Sequence, residues 1–183
     1  GWDRGVDLVG AGTFLFDAGT TFDLSGAITG AGSLTKSGAG TLLLSGTGSY
    51  AGATSVGAGM LLVNGNYGGA TGPVTVASGA SLGGNGTIGG NVARADGAIL
   101  APGAGGGGTL TTAGDLSLAA GTRLAYQFGQ AGVAGGALND LVNVGGDLIL
   151  DGTIDVTVPS GGAFDVGVYR MFNYVGGLTD NGL

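Results

Sequence analysis

The chain has 183 residues, 46 of them glycine, and a net charge of -7 from twelve aspartates, no glutamate and five basic residues. With no cysteine and no histidine, disulfide frameworks, thiolate metal sites and histidine-dependent catalysis are excluded. The absence of any Lys or Arg cluster argues against nucleic acid as a partner. Hydrophobic residues at 43% and charged residues at 9% are the reverse of a disordered composition, and three prolines without a G-X-Y period rule out collagen.

Taken in chain order, the local pattern is strand after short strand. Gly1-Trp2, with no Met and no secretory signal, reads as the start of a segment from within a longer protein. Val6-Asp7-Leu8, Phe14-Leu15-Phe16, Phe22-Asp23-Leu24, Val74-Thr75-Val76, Leu116-Ser117-Leu118 and Val142-Asn143-Val144 place apolar residues two apart, the period of a half-buried strand. Gly, Asn, Asp and Ser separate these runs, and aspartate without glutamate suits turns rather than helices. The longest apolar runs, such as Met60 to Val63, are far too short to cross a bilayer as a helix, so no membrane insertion is expected.

A phrase centred on glycine recurs at Gly40, Gly59, Gly79, Gly97 and Gly121, each followed two or three residues later by leucine, at spacings of 19, 20, 18 and 24 residues. Those intervals are about one coil of a parallel β-solenoid, in which coil-to-coil ladders offset the backbone entropy of so much glycine. The expected fold is all-β, a right-handed parallel β-helix of 18–24 residues per coil, with five to eight coils forming a rod of roughly 25–40 Å. Asn64-Gly65, Asn85-Gly86, Asp96-Gly97 and Asp151-Gly152 resemble hairpin turns. At Asp151-Gly152, however, a hairpin would set Leu148 opposite Asp155, whereas a corner lets Leu148, Leu150, Ile154, Val156 and Val158 point inward. Composition shifts near residue 110, where strands lengthen and Tyr126, Phe128, Phe164, Phe172 and Tyr174 enter. The expected division is a Gly-rich stem at 1–109 and a better-packed section at 110–183 carrying most of the cohesion.

Gly32-Ser33-Leu34-Thr35-Lys36-Ser37-Gly38-Ala39-Gly40-Thr41-Leu42-Leu43-Leu44-Ser45-Gly46, followed by Tyr50-Ala51-Gly52-Ala53-Thr54-Ser55-Val56 and Gly59-Met60-Leu61, resembles the passenger-associated repeat of bacterial autotransporters. The likeness continues through Leu100-Ala101-Pro102-Gly103 to Tyr169-Arg170-Met171-Phe172 near the end of the chain. The resemblance implies a secreted β-helical passenger on the surface of a Gram-negative bacterium, exported by its own C-terminal outer-membrane β-barrel. It further implies that 110–183 is similar to an autochaperone section, which folds first and templates the stem. The function expected is a noncatalytic stem; the alternatives are an adhesin segment binding host surface glycan or protein, or a scaffold for an upstream protease or esterase.

The catalytic motifs dissolve on inspection. Gly79-Ala80-Ser81-Leu82-Gly83 has the G-x-S-x-G form of a nucleophile elbow but no histidine to serve it. Gly84 to Gly89 and Gly103 to Gly108 satisfy G-x-G-x-x-G without opening a helix. Asp147, Asp151 and Asp155 are the best candidates for a calcium ladder or a carboxylate pair, read here as turn-forming residues. Asn85-Gly86-Thr87 is a lone glycosylation sequon, also read as a turn. Trp2, Tyr50 and Tyr67 are candidate aromatic platforms. No catalytic, metal or cofactor residue is expected.

Overall fold

The computed structural model describes residues 1–103 and 105–183. Every strand pair within its sheets is parallel, and no helix occurs among the described residues. Apart from Val6–Asp7 and Ile28–Thr29, which form a two-stranded sheet of their own, the strands sort into three long sheets that run side by side along one axis.

The first sheet stacks Gly12–Leu15, Leu34–Ser37, Thr54–Val56, Val74–Val76, Val92–Arg94, Leu116–Ser117, Leu148–Leu150 and Leu178–Asp180. The second stacks Thr21–Leu24, Thr41–Leu44, Met60–Val63, Ser81–Gly84, Ile99–Pro102, Arg123–Gln127 and Thr153–Thr157. The third begins later, with Asn66–Tyr67, Thr87–Ile88, Thr109–Thr112, Leu141–Val144 and Phe172–Tyr174. The chain visits the three in rotation, so each strand lies against its counterpart one winding earlier. This is a parallel β-solenoid, and the seven windings of the second sheet give a rod of roughly 30–35 Å.

Register is set by what points inward. Leu42, Leu61, Leu82, Leu100, Leu124 and Ile154 are successive partners in the second sheet, and the first five are almost completely buried. Because side chains alternate, a slip of one residue would turn the whole column out to solvent. Burial accordingly alternates along most strands. Asp151-Gly152 lies between strands of two different sheets, so it is a corner and not a hairpin.

Coil length matches expectation at first and then departs from it. Register partners Val74 and Val92 are 18 residues apart, and Val92 and Leu116 are 24 apart. Leu116 and Leu148 are 32 apart, and Leu148 and Leu178 are 30 apart. The surplus lies in two excursions, 128–140 and 158–171, which leave the rod between the second and third sheets.

The core does not concentrate after residue 110. Near-fully buried side chains run from Leu24 through Ile28, Leu61, Leu82 and Leu100 to Leu148, while Ile154, Val156 and Val158 are substantially exposed. Ile154 and Val156 do face the axis, since they partner the buried Leu124 and Tyr126. They are exposed because Thr153–Thr157 is the last strand of its sheet, with no winding laid over it. Stacking position, rather than composition, decides burial here.

Two cations sit inside the rod. Lys36 is fully buried, and its Nζ donates to the carbonyls of Ser37 (2.9 Å), Gly38 (2.8 Å) and Ala58 (3.1 Å), the last belonging to the next winding. Burial lowers its pKa. Arg94 donates from Nη1 to the Ile99 carbonyl at 2.6 Å, while Nε and Nη2 have no partner among the described residues. Desolvation pushes its pKa down to about 9.

Candidate interaction surfaces

The residues singled out in the sequence fall at scattered places. Ser81 is buried within a strand and so is not displayed as a nucleophile. Gly84 ends a strand and Gly86 and Gly89 lie at corners, each within 2.4 Å of a main-chain carbonyl of the previous winding if given a Cβ. The run Gly103 to Gly108 includes Ala104, which lies outside the described residues. Asn85 is exposed at a corner, with its amide N–H donating to Asn64 Oδ1 at 3.3 Å.

The three aspartates do not converge. Asp147 is a rung: Asp115 Oδ1 accepts its N–H at 2.8 Å, and its own Oδ1 accepts the Gly177 N–H at 2.6 Å. Asp151 accepts the N–H of its neighbour Gly152, and Asp155 pairs with Arg123 on the surface, Nε donating to Oδ2 at 2.9 Å. No group of three acidic residues is placed to hold a metal ion among the described residues.

Two of the three aromatic candidates are core. Tyr50 and Tyr67 are buried and line an internal cavity of about 20 Å³ with Leu44, Leu61 and Leu82. Tyr50 Oη bonds Thr54 Oγ1 at 2.6 Å, and desolvation raises the pKa of both phenols. Trp2 is about half exposed, at the rim of an open apolar concavity of about 460 Å³ lined by Val6, Phe14, Phe16, Phe22 and Leu24.

The most developed surface feature is the pair of excursions. They stack on one another through Ala163 N–H to the Gly129 carbonyl (2.8 Å) and Gly132 N–H to the Val168 carbonyl (3.0 Å). An aromatic cluster staples them to the rod. Phe128 lies 5.1 Å from Tyr169 and 5.5 Å from Tyr126, and Phe164 lies 4.7 Å from Tyr169, centroid to centroid. Such pairs contribute about 0.5–1.5 kcal/mol each beyond their area.

Asn139 and Asp140 anchor the base. Asn139 is buried: its Oδ1 accepts the N–H groups of Gly129 and Gln130, and its Nδ2 donates to the carbonyls of Gln130 and Val133. Asp140, also buried, accepts from Gln127 N–H at 2.7 Å and Gly108 N–H at 3.1 Å. Burial outweighs those two donors and raises its carboxyl from 3.8 to about 7. Between those values the unfolded carboxyl is ionised while the folded one keeps its proton, so the folded state binds more protons. Stability from this group is therefore fully present below about pH 4 and is lost as pH rises towards about 7. The expected result is a melting temperature that falls across this window in buffered thermal scans and flattens in Asp140→Asn.

Beyond the anchors the surface turns apolar. Val133, Phe164, Val166 and Val168 are exposed, beside Arg170, whose Nη1 donates to Asn173 Oδ1. Sequence reading saw the aromatics but not that the two excursions lie together. The available signal was coil length, since a jump past thirty residues marks an insertion at one corner.

Comparison with known proteins agrees with this architecture. The model of the passenger-associated-transport-repeat family matches residues 34–63, which span Leu34 to Val63, the buried Lys36 included. Over 167 residues the chain is 57% identical to the adhesin BmaC autotransporter of Brucella suis biovar 1 (strain 1330), covering 90% of this chain and 5% of that protein. The chain thus spans about a twentieth of the length of the relative it matches. With the stacked parallel sheets, these matches make the chain a homologue of an autotransporter adhesin, part of a repeat-built passenger.

Proposed function

We propose that the chain is a noncatalytic stem segment of a surface-displayed autotransporter passenger, exported with the help of its own outer-membrane β-barrel elsewhere in the protein. The observation that carries this reading is the unbroken column from Leu42 to Leu124, in which each winding contributes one buried leucine stacked on the last. The relative's description as an adhesin autotransporter supports display outside a Gram-negative cell. Within this reading the division at 109/110 is one of coil length, because both excursions belong to the later part, while near-fully buried side chains run across the division from Leu24 to Leu148. Residues 110–183 would seed folding by presenting the aromatic staple as a local nucleus. Limited proteolysis of separate 1–109 and 110–183 fragments tests that role, and greater resistance in the first would sink it.

A second reading rests on the paired excursions, whose exposed Val133, Phe164, Val166 and Val168 form the apolar part of a lateral contact for a host protein or glycan. Binding of the isolated chain to host cells and to a glycan array separates the two. A stem gives no signal, whereas an adhesive segment binds and loses binding in Val166→Asp with Val168→Asp.

A further inference from the structure

The chain contains five dipeptides in which glycine follows Asn or Asp: Asn64-Gly65, Asn85-Gly86, Asp96-Gly97, Asp151-Gly152 and Asn181-Gly182. Such pairs are chemically labile because glycine leaves its own nitrogen unhindered for attack on the preceding side-chain carbonyl carbon. Whether the attack happens depends on where that N–H is held.

At three of the five it is held by the main chain of a neighbouring winding. Gly65 N–H donates to the Leu44 carbonyl (2.9 Å), Gly86 N–H to Val63 (2.8 Å) and Gly97 N–H to Gly121 (3.0 Å). Gly152 differs. Among the described residues its N–H has no main-chain acceptor, and it points instead at Oδ1 of Asp151, the residue that would be attacked, at 2.8 Å. The arrangement is kept although another winding lies over it, since Leu150 is paired with Asp180. Gly152 also has φ +114°, a conformation suited to glycine, and a Cβ there would meet the Thr122 carbonyl at 2.2 Å, so no bulkier residue can shield the site.

We propose that Asp151-Gly152 is a self-modification site, at which aspartate converts through a succinimide to isoaspartate while the protein stays folded. The Gly152 nitrogen attacks Asp151 Cγ, the new C–N bond closes a five-membered ring, and the Cγ–OH bond breaks. The hydroxyl leaves with the amide proton as water. Addition of water at Cγ restores aspartate; addition at the main-chain carbonyl breaks its bond to nitrogen and leaves the chain running through the side chain. The net mass change is zero, and no oxidant or other reactant is required.

The product inserts one extra carbon into the backbone at the corner joining Leu148–Leu150 to Thr153–Thr157. That lengthening falls four residues before Asp155, the partner of Arg123, so the last winding of the second sheet is the part it loosens. A displayed protein would thereby acquire an age-dependent change confined to one corner.

Asp96-Gly97 is the internal comparison, because it is the same dipeptide at a corner between the same two sheets, and Asp96 is the more exposed aspartate. Solvent exposure alone would make Asp96 the faster site; the hydrogen-bond arrangement makes it Asp151. The test is prolonged incubation of the intact chain in mildly acidic buffer, then peptide mapping with isoaspartate-specific fragmentation and enzymatic isoaspartate methylation. Isoaspartate at 151 should exceed that at 96 by about tenfold, equivalent to about 1.4 kcal/mol. The two should converge in urea, and Asp151→Glu should remove the isoaspartate mapped to position 151 while leaving that at 96. Equal accumulation at both sites in the folded chain, or an excess at Asp96, would overturn the proposal.

Discussion

Gly72→Ala should cost the fold about 3 kcal/mol or more, although it adds a single methyl group. A Cβ at Gly72 would lie 2.1 Å from the Gly52 carbonyl oxygen and 2.5 Å from its carbon. The contact recurs up one corner of the rod: Gly32 against Gly10, Gly52 against Gly32 and Gly90 against Gly72 all leave 2.3 Å or less to a main-chain oxygen. Neither partner can retreat, because both are main chain and the spacing of windings is fixed by the ladders on either side. Chemical denaturation measures the loss directly. Gly10→Ala is the control, since a Cβ there has nothing within 4 Å, and its stability should be unchanged. A neutral Gly72→Ala would mean that the windings stand further apart than the ladders allow.

Lys36→Met should cost about 3–4 kcal/mol, from the same measurement. Methionine replaces the aliphatic stem but supplies no donor. The Gly38 and Ala58 carbonyls would then be left inside the rod without the ammonium that now serves them, while Ser37 keeps a bond from Phe16 N–H. The ammonium joins two windings, so its removal should be felt in both. Circular dichroism, which reads the strands of every winding, follows this change. A buried Lys that could be exchanged for Met at no cost would show that water reaches those carbonyls.

Lys36 and Arg94 mark where reading the sequence stopped short. Period-two alternation set Val74, Val76, Leu116 and Val142 on the apolar side of their strands, and each is buried. The same alternation sends Lys36 and Arg94 inward, yet residue type argues for the surface, because an isolated buried charge is costly. What reverses the argument for Lys36 is the set of corner carbonyls within reach of Nζ, a property of the folded corner that no residue in the sequence announces. Arg94 is only partly compensated, with two nitrogens unpartnered among the described residues, and its depressed pKa expresses that cost.

The repeating phrase was legible, with one adjustment. Read by its glycines, Gly59 aligns with Gly79, but the registered partners are Met60 with Ser81 and Leu61 with Leu82, which sets Gly59 level with Ala80. Glycine can slide by one residue along a corner; an inward leucine cannot, since sliding turns it to water. The leucines therefore carry the register and the glycines only permit the turns. The excursions were the least legible part, because their meeting depends on two insertions at the same corner of successive windings, separated by some thirty residues of sequence.

The ladders joining one winding to the next run along the length of the rod, and that orientation governs how the molecule bears load. Tension applied end to end does not shear many bonds together; it opens the terminal winding, then the one beneath, like a zipper. Each step releases a loop of 18 to 32 residues as slack. A tether built this way would yield gradually under flow and could rewind when the pull subsides, with the remaining stack as its template.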